Sequence, residues 1–152
     1  MKCFISVIIL AALFTMTSLA QAIKDDAVPG TVSQAFKQKF PSAIKPEWKI
    51  SKDKNYEAEF TESGNKLTVK FSQDGKWLET KSGIAAGSVP VVVRNAVGSD
   101  YSGYKITESQ KIETADSKDP VYEIRVKKDK EVLKLHYSME GKLLKKSWKK
   151  AK

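Results

Sequence analysis

The chain has 152 residues, 27 of them basic and 18 acidic, for a formal charge of +9, and a single cysteine, Cys3. Cys3 precedes an apolar stretch of signal-peptide type and is expected to leave with it. That excludes a disulfide framework, a thiolate nucleophile and a cysteine-built metal site, and the remaining length can form a core without such staples.

Met1 and Lys2 form a short basic region, and Phe4 to Phe14 is an apolar run too short to span a membrane comfortably. Ala20-Gln21-Ala22 has the small-x-small form of a cleavage site. Residues 1–22 therefore read as a signal peptide cleaved after Ala22, and the product as periplasmic or secreted. A lipoprotein cysteine would follow the apolar run rather than precede it. From Ile23 to Ile124 there are 15 basic and 15 acidic residues; from Arg125 to Lys152 there are 11 and 3. The excess charge is local, which says more about partners than a uniformly basic chain would.

Ile23 to Ala27 is short and charged and reads as a mobile N-terminus. Thr31, with Gln34 three residues on, fits a capping box. Val32, Ala35, Phe36 and Phe40 share a helical face, and Pro41 stops the helix, predicted over residues 31–40. Trp48 and Ile50 alternate with charged neighbours, as do Tyr56, Ala58 and Phe60, predicting two strands. Leu67, Val69 and Phe71 alternate in the same way, and Asp74-Gly75 reverses the chain into a fourth strand running to about Thr80. Lys81 to Gly87 is small and reads as a flexible seam. Ser88 is a plausible N-cap for a second helix, with Pro90 in its first turn. Val91-Val92-Val93 favours a strand by propensity.

Spacing decides that conflict. Val89, Val93, Ala96, Val97 and Tyr101 match Val28, Val32, Ala35, Phe36 and Phe40 at an offset of 61. Tyr122, Ile124 and Val126 match Tyr56, Ala58 and Phe60 at an offset of 66, as Leu133, Leu135, Tyr137, Gly141 and Leu143 match Leu67, Val69, Phe71, Gly75 and Trp77. The valine run is therefore predicted helical. Ile106 to Thr114 is predicted as a strand, followed by a turn at Asp116 to Pro120. The expected fold is α+β: two tandem units, residues 23–83 and 84–152, each a helix with four antiparallel strands. About eight strands result, with both helices on one face and the other face polar.

Motifs for chemistry are weak. His136, the only histidine, falls among polar strand positions and is expected to face solvent. There is no G-x-S-x-G, no Cys/His cluster, no calcium-loop spacing and no glycine-rich phosphate loop. Glu57 and Glu59 face one way, as do Glu123 and Arg125, and read as the wet face of a sheet rather than an acid–base pair. Trp48 and Trp77 fall on inward positions; Trp148 lies in the basic end. Lys142, Lys145, Lys146, Trp148, Lys149 and Lys150 are the candidate contacts for an anionic partner.

The pattern Val28-Pro29…Val32…Ala35-Phe36…Phe40-Pro41-Ser42-Ala43…Trp48, then Tyr56-Glu57-Ala58-Glu59-Phe60 and Phe71-Ser72-Gln73-Asp74-Gly75-Lys76-Trp77, resembles the PepSY-like family of exported bacterial proteins. The resemblance spans nearly all of the mature chain. It is looser in the second unit, which lacks equivalents of Pro41 and Trp77. It implies a fold like that of the β-lactamase inhibitory protein, and it carries over no catalytic residue. Fold alone does not fix function. The resulting expectation is a non-catalytic exported module, without cofactor, that binds another envelope or exported protein through the open sheet face. The alternatives are inhibition of an exported peptidase or other envelope hydrolase, and peripheral attachment to an anionic membrane surface through the basic tail. Nucleic acid is not an expected partner of an exported protein.

Overall fold

The structure, a computed structural model, describes the backbone of residues 21–150 and the side chains of residues 21–148. The expected signal segment as far as Ala20 lies outside the described residues, and so does the end of the tail at Ala151 and Lys152. Among the described residues, nine strands form one antiparallel sheet whose spatial order is the chain order. They are β1 (Gln21–Ile23), β2 (Glu47–Ile50), β3 (Tyr56–Glu62), β4 (Asn65–Phe71), β5 (Trp77–Gly83), β6 (Lys105–Thr114), β7 (Val121–Lys128), β8 (Glu131–Tyr137) and β9 (Leu143–Lys150). Helix α1 (Gly30–Lys39) precedes β2, and α2 (Val91–Asp100) precedes β6.

Two cores sit on the same face. Val32 and Phe36 of α1 pack on Trp48, Ala58, Phe60, Leu67, Val69 and Phe71. Val93 and Val97 of α2 pack on Tyr122, Ile124, Val126, Leu133, Leu135 and Tyr137. Cross-strand partners share a face in an antiparallel ladder. The pairs Val69↔Thr80, Thr80↔Glu113, Ser82↔Lys111 and Lys111↔Tyr122 carry one face from the first core to the second without a break. Both helices cover this side.

The hairpin geometry is matched in the two halves. A bulge falls between Lys70 and Phe71, and another between His136 and Tyr137. Gly75 and Gly141 have φ of +83° and +82°. A Cβ on Gly75 would lie 2.9 Å from the Thr31 carbonyl oxygen, and one on Gly141 would lie 3.0 Å from that of Val92. Each turn is seated directly on the first turn of its helix, so these two positions need glycine for both conformation and space.

Several expectations are corrected. Ile23 to Ala27 is not mobile: Ile23 pairs with Trp48 and packs against the first core, and Asp25–Ala27 forms a 3-10 turn. With β1, whose Gln21 and Ala22 precede the expected cleavage point, the described residues form nine strands rather than eight. Neither expected cap forms. Prolines 29 and 90 occupy the N-cap positions, where no side chain bonds the helix, and their carbonyls accept the N–H of Ser33 and Arg94 at 3.0 Å. Thr31 is already helical, and Ser88 lies in a second 3-10 turn, Ala86–Ser88. The seam begins later than expected, because Lys81 to Gly83 belong to β5 and pair with β6. The valine run is helical despite its propensity: Val93 and Val97 are buried there, and packing outweighs the small intrinsic preference. The basic end as far as Lys150 is an edge strand paired along β8, not a tail.

Candidate functional site

Facing away from the helices, the sheet presents a field of charged side chains. Strand alternation places them there, and cross-strand pairing ties them together. Glu59 lies between Lys49 at 2.9 Å and Lys66 at 3.1 Å, and Glu57 meets Lys70 at 3.3 Å. Lys81 meets Glu79 at 3.3 Å. The hydrogen bond from Lys49, with a second from Lys66, holds the Glu59 carboxyl below the usual carboxylate range despite partial burial. At the β2 end, Ile44, Lys45, Glu47, Glu59, Phe60, Thr61 and Lys66 line an open depression of about 400 Å³.

The arrangement changes character in the second half. Glu123 is 5% exposed. Its carboxylate accepts from Lys134 Nζ at 3.0 Å and from His136 Nε2 at 2.9 Å, with Arg125 Nη2 at 4.0 Å. Arg125 also pairs with Glu108, while its Nε is buried without a partner. Burial pushes the Glu123 carboxyl up, but the hydrogen bonds from His136 and Lys134 more than reverse this and hold it below the ordinary range. A carboxylate kept ionised and saturated with donors is poised to hold cations in place rather than to hand over a proton. His136 is thus half-buried and bonded, not a free surface histidine. The sequence held the signal, since Glu123 and His136 are equidistant from the turn at Asp129-Lys130. Among the described residues, no group of three or more His, Cys, Asp or Glu side chains is placed to hold a metal ion.

The structure does not gather the six predicted contact residues on one face. Lys142 lies in the β8–β9 turn, where its N–H donates to Ser138 Oγ at 3.3 Å. Lys145 pairs with His136 and so shares the open face. Lys146 and Trp148 pair with the buried Leu135 and Leu133 and so share the helix face. There Lys146 Nζ lies 4.5 Å from the centroid of a Trp148 ring and 5.1 Å from that of Tyr101. Trp148 is 67% exposed. Lys149 and Lys150 are in β9 by backbone, and their side chains lie outside the described residues. Trp48 is buried as expected. Trp77 is half-buried against the first core, donates its indole N–H to Thr80 Oγ1 at 2.8 Å and lies under Lys39 Nζ.

Residues 15–62 and 53–145 match the family described as "Putative beta-lactamase-inhibitor-like, PepSY-like". The chain belongs to the PepSY-like family. Solved structures with the same fold include a DUF2874 family protein from Bacteroides ovatus, 26% identical, with a TM-score of 0.73 over 79% of this chain and 86% of that one. A BLIP-like protein from Bacteroides fragilis is 21% identical, with a TM-score of 0.69 over 79% and 85%. A third structure, described as "putative periplasmic proteins" from Bacteroides eggerthii, is 22% identical, with a TM-score of 0.75 over 80% and 88%. No curated protein matches this PepSY-like chain.

Proposed function

We propose that this PepSY-like protein is an exported, non-catalytic binding module that engages another envelope protein through the open face of its sheet. The observation that carries this reading is the sheet face that neither described helix covers. Its charged side chains are already held in ion pairs, most of them across strands, so little side-chain freedom is lost when a partner docks. Export follows from the signal-peptide pattern, and the description of a related fold as periplasmic supports it. Purified protein crosslinked in envelope extract at low salt is expected to capture a partner that Lys70→Glu with Lys81→Glu loses. Lys37→Glu, on the outward side of α1, should retain it. Equal capture by all three proteins, or none by the unchanged protein, overturns the reading.

The family description favours a narrower form, in which the partner is an envelope hydrolase and docking blocks it. Stoichiometric protein should then abolish one activity in a panel that includes β-lactamases and exported peptidases. A panel unaffected by excess protein removes this form and leaves the broader one standing.

The chain itself reads as one helix-plus-four-strand unit written twice, residues 23–83 and 84–152. Matched bulges, turn glycines and proline helix starts support this. Phe36→Ala should then lower amide protection in α1 well before α2. Uniform loss across both helices would count against two separate units.

A further inference from the structure

Seven large hydrophobic side chains are exposed among the described residues: Ile44, Val91, Val92, Met139, Leu143, Leu144 and Trp148. All but Ile44 lie in the first turn of α2, in the β8–β9 turn or on β9. The structure makes these six one strip. Gly141 seats the β8–β9 turn, with Met139 in it, on Val92 at the start of α2. At the far end, Lys146 lies over both Tyr101, the C-cap of α2, and Trp148. The strip thus runs along β9 from Gly141 to Trp148, roughly 23 Å at strand rise. The same stretch of chain carries Lys142, Lys146, Lys149 and Lys150, with Lys145 turned to the open face, against Glu140, Asp100 and Glu131, the cross-strand partner of Lys150, as the nearby acids.

Edge protection accounts for the lysines, since a charged edge strand resists pairing with another sheet. It does not account for an exposed tryptophan, leucine pair and methionine on the same strand and turn. The first half makes the contrast. There Val91, Val92 and Met139 are replaced by Gly30, Thr31 and Gln73, while Trp77 and Leu78, at the positions of Leu143 and Leu144, are half-buried on a strand, β5, that β6 covers. A second copy pairing through β9 would bring two lysine rows together. Apolar side chains flanked by lysines, with an indole among them, match the boundary of an anionic bilayer. Aromatic and aliphatic groups enter the headgroup region there, while ammonium groups reach lipid phosphates. We infer that the α2–β9 strip docks on the surface of an anionic phospholipid membrane. This site is distinct from the open face and leaves that face turned elsewhere.

The test uses the processed protein recovered from export, floated with vesicles of phosphatidylcholine alone or with phosphatidylglycerol at about one part in three. Binding is expected only to the phosphatidylglycerol vesicles and should weaken as salt rises. Each lysine near such a surface strengthens binding about fivefold, so Lys142→Gln with Lys146→Gln should weaken it by about 25-fold. Leu144→Ser with Trp148→Ser should cost at least as much. Both pairs are exposed, and circular dichroism verifies that the variants fold. Bound vesicles should shift tryptophan emission to the blue in the parent and not in Trp148→Phe, because Trp48 and Trp77 are already packed. Lys70→Glu with Lys81→Glu should float unchanged, which separates failure here from failure of the open-face reading. Absence of binding, equal binding to both vesicle types, binding indifferent to Leu144 and Trp148, or a dimer that forms without vesicles and hides Trp148 overturns the inference.

Discussion

The two halves are built on one plan and filled differently. The first core is aromatic: Phe36 packs edge-on against Trp48, Phe60 and Phe71, with ring centroids 5.2–6.4 Å apart. The second places Val97 at the Phe36 position and surrounds it with Ile124, Leu133 and Leu135. On the opposite face the contrast reverses. The first half makes simple pairs such as Glu57–Lys70, while at the corresponding positions Glu123 is buried under His136 and Lys134. The backbone plan therefore tolerates either kind of core, and the halves diverge where neighbouring strands differ.

The largest break in this comparison should come from the cores. Phe36→Ala removes a ring packed against four others, Phe40 among them, and should cost about 3–5 kcal/mol in equilibrium unfolding. Val97→Ala removes two methyl groups and should cost roughly half as much. The turns come next. Gly75→Ala places a Cβ against the backbone of Thr31 at positive φ and should cost about 2–4 kcal/mol, with Gly141→Ala slightly less because its contact is longer.

The open face follows. Glu123→Gln strands the charges around a buried carboxylate and should cost about 1–3 kcal/mol, whereas Glu57→Gln should cost under about 1 kcal/mol. Glu123 also has a pH signature. Its folded pKa lies below the ordinary value, so its stabilisation is present above that value and is lost as pH falls through the lowered one. Acid titration of stability should flatten in Glu123→Gln relative to the parent. The smallest effect should be Tyr137→Phe, which installs the residue found at position 71. The Tyr137 hydroxyl is buried without a partner, and burial pushes it up to about 12. Its removal should be neutral or stabilising by up to about 1 kcal/mol.

Much of the fold was legible because strand alternation and turn glycines are local. Leu67, Val69 and Phe71 declare their face, and the spacing that Val89, Val93 and Val97 share with Val28, Val32 and Phe36 resolved the helix at Val91 against its own propensity. The helix starts were misread because Thr31-x-x-Gln34 fits a capping box, while the preceding proline already fixes where the helix begins. Strand order is not written in any local pattern. Nothing in Lys145-Lys146-Ser147-Trp148 says that it lies on an unpaired edge, so the segment looked like a loose tail. The exposed Val91 and Val92 did leave a trace. Once Val89, Val93 and Val97 are assigned inward, those two must point out.

Because order in space repeats order along the chain, every strand after β1 finds one of its partners already behind it. Assembly can proceed from the N-terminal end without any later segment being threaded between earlier ones, and most hydrogen-bonded ladders close over short separations. A polypeptide delivered gradually through a translocation channel can therefore start building before its last residues arrive.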